Sequence, residues 1–122
     1  MIDKNKIDKF EDLLVWQESY YLAKEVYKAF KTCRDYGFRD QVQRAAVSLP
    51  SNIAEGYERQ SNKEFIQFLF IAKGSCGELR TQLSLAIELD LLEKQLGFEL
   101  TEKTRKISAM LFKFIKARKE RF

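Results

Sequence analysis

The sequence has no histidine, one proline, five glycines and two cysteines in 122 residues. Without histidine it lacks the commonest general acid–base group, the base of hydrolytic triads and the commonest metal ligand. The paired Glu-x-x-His sequences of di-iron helical bundles cannot be built. Zinc would have to rely on carboxylates and on Cys33 and Cys76, which stand far apart in the chain. Neither GxxxxGKS/T nor GxGxxG occurs, so no phosphate-cradling loop is visible. The expectation is a protein that is not an enzyme, with no catalytic residues, metal or cofactor.

The shortage of glycine and proline also bears on fold. Short-stranded β architectures need turns, and turns need those residues. Here the chain is rich in Leu, Glu, Lys, Gln and Ala, which favour helices. Apolar residues make up 45%, charged residues 33% and aromatics 13%, a globular mixture. The length suits one domain with a real core. No stretch is apolar enough to span a membrane, and the polar start Met1-Ile2-Asp3-Lys4-Asn5-Lys6 leads into no signal core. Two cysteines without a short pairing spacing suggest free thiols and a reducing, cytoplasmic setting.

What is present is helical periodicity. After a loose arm over residues 1–10, one domain is expected over 11–122. A first helix is predicted from Asp12 to Phe30, with Leu13, Trp16, Tyr20, Ala23, Tyr27 and Phe30 on one face. A turn around Gly37 follows, and a second helix from about Asp40. Its stripe of Val42, Ala45, Ala46, Leu49, Ile53 and Tyr57 stays in phase across Pro50, which predicts a kinked helix and not two separate ones.

Ser61 and Glu64 have capping-box spacing and open a third helix reaching about Leu92. Phe65, Leu69, Ala72, Cys76, Leu79, Leu83 and Ala86 form its stripe. Ile66, Phe68, Phe70 and Ile71 crowd other faces, and Ile66 and Phe70 are the candidates for a subunit interface. Lys94 to Phe98 is expected to be the third turn, and Thr101 the N-cap of a fourth helix carrying Thr104, Ile107, Met110, Leu111, Phe114 and Ile115 inward. The fold class is therefore all-α, an antiparallel up-down-up-down four-helix bundle.

Two features invite a functional reading. On the second helix, Arg44, Ser48, Ser51 and Glu55 share a face, with Asn52 at the edge of the buried stripe. Gly56 would let another helix approach, and Gly74, Ser75 and Gly77, followed by Glu78, form a matching small-residue patch. Arg44, Ser48, Asn52, Glu55 and Glu78 form either a polar pocket or, as the favoured alternative, a hydrogen-bonded packing motif.

The second feature is charge. The net charge is +4, yet residues 101–122 carry eight Lys/Arg against two Asp/Glu, so the rest of the chain is slightly acidic. Lys113, Lys116, Arg118, Lys119 and Arg121 crowd the end of the last helix. The helix dipole favours some cations there. Their number suits phosphate contact, with sequence-independent binding of RNA or DNA through counterion release.

The run from Arg44 to Arg59, centred on Asn52-Ile53-Ala54-Glu55-Gly56, resembles the signature of the 23S rRNA intervening-sequence protein family, often called "four helix bundle protein". Leu13-Leu14-Val15-Trp16-Gln17 and the run from Phe65 to Ser75 resemble that family's first and third helices. Cys76-Gly77, Arg80 and Asp90-Leu91-Leu92 depart from its usual pattern. The resemblance implies a ring-forming bundle, typically a homopentamer, whose biochemical role is not established. A related ring-forming bundle partners a reverse transcriptase and nucleic acid in diversity-generating retroelements, and a protein partner of that kind is implied by analogy only. The combined expectation is a non-enzymatic homo-oligomer contacting RNA or DNA through basic helix ends. The alternative is a scaffold ring that binds only protein.

Overall fold

The computed structural model describes residues 6–122. The arm expected over residues 1–10 lies partly outside the described residues. Its last residue, Phe10, is held: it opens a short 3-10 turn, Phe10–Asp12, and meets Trp16 edge-on at 5.3 Å between ring centroids. Four helices follow: α1 Leu14–Ala29, α2 Tyr36–Tyr57, α3 Asn62–Glu88 and α4 Lys94–Arg121. Consecutive helices pack against each other, and α1 closes against α4, which makes a four-helix bundle. Cross-helix contacts show opposed directions: Lys103 and Lys106 of α4 reach Glu25 and Glu18 of α1 respectively. No described helix is long and apolar enough to cross a membrane.

The core is one cluster that includes Leu22 and Val26 of α1, Leu49 and Ile53 of α2, Leu69, Leu79 and Leu83 of α3, and Leu100, Ile107 and Leu111 of α4. Each such aliphatic side chain contributes about 1.5–3 kcal/mol when removed from water. The expected stripes of α2 and α3 match this core closely.

The α1 stripe does so only in part: Leu13, Ala23 and Phe30 are buried as expected, together with Val15, Ser19, Leu22 and Val26, whereas Tyr20 is 47% and Tyr27 is 52% exposed. Two apolar stripes run along this helix. Slimmer Val, Leu and Ser side chains let the bundle close, and the bulky rings with polar tips remain at the groove toward α2.

Element ends follow their capping chemistry. Helix α2 begins at Tyr36, about a turn before Asp40, because Asp35 caps it by accepting from the Phe38 amide at 3.1 Å. Gly37 therefore lies in the helix, not in a turn. The helix then passes through Pro50 unbroken. Ser61 caps α3 as expected, accepting from the Glu64 amide at 3.2 Å. That helix ends at Glu88, short of Leu92, where Asp90 takes a left-handed φ of 56°.

Helix α4 starts about two turns earlier than Thr101. Both carboxylate oxygens of Glu93 accept backbone amides, from Gln95 at 3.0 Å and Leu96 at 2.8 Å. These bonds also hold the Glu93 carboxyl below its ordinary pKa. Residues Lys94 to Phe98 are thus the first turn of α4. Gly97 is present for packing: a β-carbon there would run into Ile87 of α3. Thr101 is buried inside the helix and returns its hydroxyl to the Gly97 carbonyl at 2.8 Å.

Candidate functional site

The polar residues expected between α2 and α3 divide. The Ser48 and Ser75 hydroxyls lie 3.0 Å apart across the interface. The Asn52 amide donates to both the hydroxyl and the carbonyl of Ser48, each at 2.8 Å. Beside them Gly56 does what its missing side chain permits: a β-carbon there would stand 2.5 Å from that of Phe68. These residues form a packing motif that satisfies polar groups where the helices meet.

Arg44, Glu55 and Glu78 do not join it. Glu55 is exposed and pairs with Arg59 at 3.2 Å, and Glu78 accepts from Gln82 at 3.4 Å. Arg44 is exposed. Gly74 and Gly77 do not serve the close packing inside the subunit that was expected of them, since a β-carbon at either position would meet nothing within 4 Å. They open onto the outer face of α3 instead.

On that face Phe70 is 48%, Ile71 51% and Leu85 46% exposed. Ile66, the other interface candidate, is half-buried against the core and belongs mainly to the subunit itself. Arg59 lies over the Phe68 ring at 4.8 Å and Lys119 over the Phe70 ring at 4.9 Å.

The cations of α4 fall into two groups. In its middle, Lys103 pairs with Glu25 at 2.7 Å, Arg105 with Glu102 at 3.2 Å and Lys106 with Glu18 at 3.5 Å, while Lys94 at its start forms no ion pair among the described residues. Toward its end, Lys113, Lys116 and Arg121 are exposed and form no ion pair among the described residues. Lys113 and Lys116 are one turn apart and share the solvent face.

Arg118 is different from its neighbours. Its Nε donates to the Asn62 side chain at 2.8 Å, and its guanidinium lies over the rings of Phe65 and Phe122. Partial burial lowers its pKa, against an opposing influence of Tyr57. It is occupied within the fold, unlike the exposed Lys113, Lys116 and Arg121. The sequence signal for this was Asn62 at the start of α3, which an antiparallel pairing brings to the end of α4.

Cys33 and Cys76 are both free thiols. Burial pushes the Cys76 thiol up to about 11, despite Arg80 and Lys73 nearby, and it donates to the Thr104 carbonyl at 3.1 Å. Among the described residues no group of three or more His, Cys, Asp or Glu is arranged to hold a metal ion.

Sequence reasoning missed an aromatic-walled groove between α1 and α2. Phe10, Trp16, Tyr20 and Tyr27 wall a groove of about 540 Å³, closed on the other side by Val47, Pro50, Ser51 and Ala54 of α2. The signal was the Trp16–Tyr20–Ala23–Tyr27 periodicity, which fits a core stripe equally well.

These features describe a helical bundle that carries an aromatic groove, an apolar outer helix face and a cluster of exposed cations. The 23S rRNA-intervening sequence protein model matches residues 11–113, and the chain belongs to that family. A solved structure from Bacteroides thetaiotaomicron, a protein of unknown function from the S23 ribosomal protein family, is similar with a TM-score of 0.79. It is 24% identical, and the match covers 84% of this chain and 99% of that one. A comparison with curated proteins finds no match.

Proposed function

We propose that this protein is a non-enzymatic, cytoplasmic binding protein that assembles with copies of itself and presents the end of α4 to the phosphates of RNA or DNA. The observation that carries the reading is the division of the α4 cations. Lys103, Arg105 and Lys106 in the middle of the helix are paired with acids, whereas Lys113, Lys116 and Arg121 toward its end are exposed and unpaired among the described residues. An unpaired surface lysine gives up little on meeting a phosphate and releases a counterion from the nucleic acid. Nothing in this arrangement reads base edges, so binding would be largely independent of sequence.

Self-assembly would use the outer face of α3, where Phe70, Ile71 and Leu85 are exposed beside the bare Gly74 and Gly77. A ring, a homopentamer as the family resemblance implies, would repeat a weak phosphate site and raise its avidity. The same face favours the second reading, a scaffold ring that binds only protein.

Titration against single- and double-stranded RNA and DNA at several salt concentrations tests the proposal, with the oligomeric mass fixed by light scattering. Affinity should fall steeply between about 50 and 200 mM salt. Charge reversal of Lys113 and Lys116 together should weaken binding to every sequence alike. An oligomer that binds neither nucleic acid at low salt would leave the scaffold reading in possession.

A further inference from the structure

The groove between α1 and α2 is neither needed for nucleic-acid contact nor part of the α3 face. Its size falls in the range of about 300–1,000 Å³ typical of small-molecule sites. Its wall is preformed: Trp16 stacks on Tyr20 at 5.0 Å with an interplanar angle of 23°, and Phe10 buttresses the indole edge-on at 5.3 Å. Pro50 contributes an apolar ring and no amide proton to the opposite side.

The charge of the groove has one sign. Lys24 and Lys28 line it, no Asp or Glu does, and neither lysine forms an ion pair among the described residues. The groove is also polarised along its length. Along α1, Phe10 and Trp16 lie toward one end of the groove and Tyr27 and Lys28 toward the other. From Trp16 to Lys28 the helix advances roughly 18 Å at its rise per residue. Around the basic end stand Asp40 and Arg44 of α2, which line the adjoining hollow beyond Tyr27 and Val47. Asp40 is already paired with Arg39 at 3.2 Å, so the local sign stays positive.

We infer that this groove binds a small amphipathic anion: a single apolar chain against Trp16 and Pro50, with one carboxylate held by Lys24 and Lys28. A neutral or cationic amphiphile would gain the same apolar contact and lose the charge complement. A second protein copy laid over the groove would leave both lysines without a counter-charge unless it brought carboxylates of its own. The free monocarboxylate meets the site with one group. The groove lies apart from the basic end of α4, so laurate binding and nucleic-acid binding can fail separately.

Trp16 is the protein's one tryptophan, and it forms part of the groove wall, so its fluorescence reports on occupancy directly. The experiment titrates the whole 122-residue chain with laurate below its micellar range and with dodecyltrimethylammonium, whose tail is one carbon longer and whose charge is opposite. Saturable change in Trp16 emission with laurate, at least tenfold weaker with the cation, is the expected result. The K24E/K28E variant, altered only at exposed positions, should keep its far-UV circular dichroism and lose laurate affinity by tenfold or more.

Ala54→Leu supplies a second, charge-independent variant, because it fills the groove from α2 and should also weaken laurate. Equal response to both amphiphiles, or unchanged affinity in K24E/K28E, would overturn the proposal. So would a drop in oligomeric mass on adding laurate, which would assign the groove to contact between copies. A response to anionic phospholipid vesicles without one to free laurate would overturn it in favour of a membrane surface.

Discussion

Arg118 and Asn62 hold each other from opposite ends of neighbouring helices: the guanidinium Nε donates to the Asn62 side-chain oxygen at 2.8 Å, and the Asn62 amide donates to the Arg118 carbonyl at 3.0 Å. The exchange ties the last turn of α4 to the first turn of α3. It converts a residue from a basic cluster into a structural clasp, with Phe65 and Phe122 against its guanidinium.

Arg118→Ala is expected to lower stability by about 1–2 kcal/mol, the combined scale of a hydrogen bond and a cation–aromatic contact. Arg118→Lys should recover little of it, because an ammonium lacks the planar fork. Lys116→Ala should change stability by less than about 0.5 kcal/mol. Urea unfolding followed by circular dichroism measures all three, and equal losses at 116 and 118 would contradict the clasp.

Two glycines should respond in opposite senses. Gly97→Ala places a methyl group against Ile87 and should cost about 1–3 kcal/mol through overpacking. Gly74→Ala meets nothing within the subunit and should stabilise the helix by about 1 kcal/mol. If copies meet across α3, the same Gly74→Ala change should weaken association, seen as a lower light-scattering mass at a given concentration. Thermal melts at low and high protein concentration separate the two effects.

Ser19 is fully buried, and its hydroxyl has no hydrogen-bond partner among the described residues. A buried polar group left unpaired costs about 1–3 kcal/mol. Ser19→Ala removes the unpaired group and leaves a residue of higher helix propensity. The variant is expected to be more stable by about 1 kcal/mol, read as an increased urea midpoint with unchanged slope. A loss of stability would mean that the hydroxyl is satisfied in solution.

The two thiols should differ sharply in reactivity. The thiolate is the nucleophile, and the Cys76 thiol is pushed up to about 11 from an ordinary 9.0 by burial. Cys33 is partly exposed, so one thiol equivalent should react with an aromatic disulfide reagent at about pH 8 and the second only on unfolding. In the fold Cys76 keeps its proton where the unfolded chain loses it. Its contribution to stability is therefore complete below the ordinary pKa and disappears as pH rises toward about 11. The alkaline fall in urea midpoint should be shallower in Cys76→Ala than in the parent protein.

Most of the bundle was legible because period and length are local properties. Leu49 and Ile53 stay in phase across Pro50, and Ser61 precedes Glu64 at capping distance, so the continuity of α2 through Pro50 and the start of α3 could be placed from residue spacing alone. The start of α4 could not. Glu93 outcompetes Thr101 as a cap because its carboxylate accepts two backbone amides, while Thr101 finds a carbonyl one turn back. A packing glycine and a turn glycine look alike in sequence, and Gly97 is told apart only by Ile87 opposite it. The basic cluster was equally visible as composition, but which of its members were already occupied was not.

The sequence by itself determined that the chain is helical, that it has four amphipathic segments, and that positive charge gathers in the last of them. Those facts depend on each residue's own preference and on its neighbours three and four positions away. Tertiary structure alone decided which of the two apolar stripes of α1 enters the core, leaving Trp16, Tyr20 and Tyr27 to wall a groove. It also decided that Arg118 binds Asn62 while Lys113 and Lys116 form no ion pair among the described residues. Both outcomes turn on which surfaces meet across helices, and residues distant in sequence carry no local sign of that meeting.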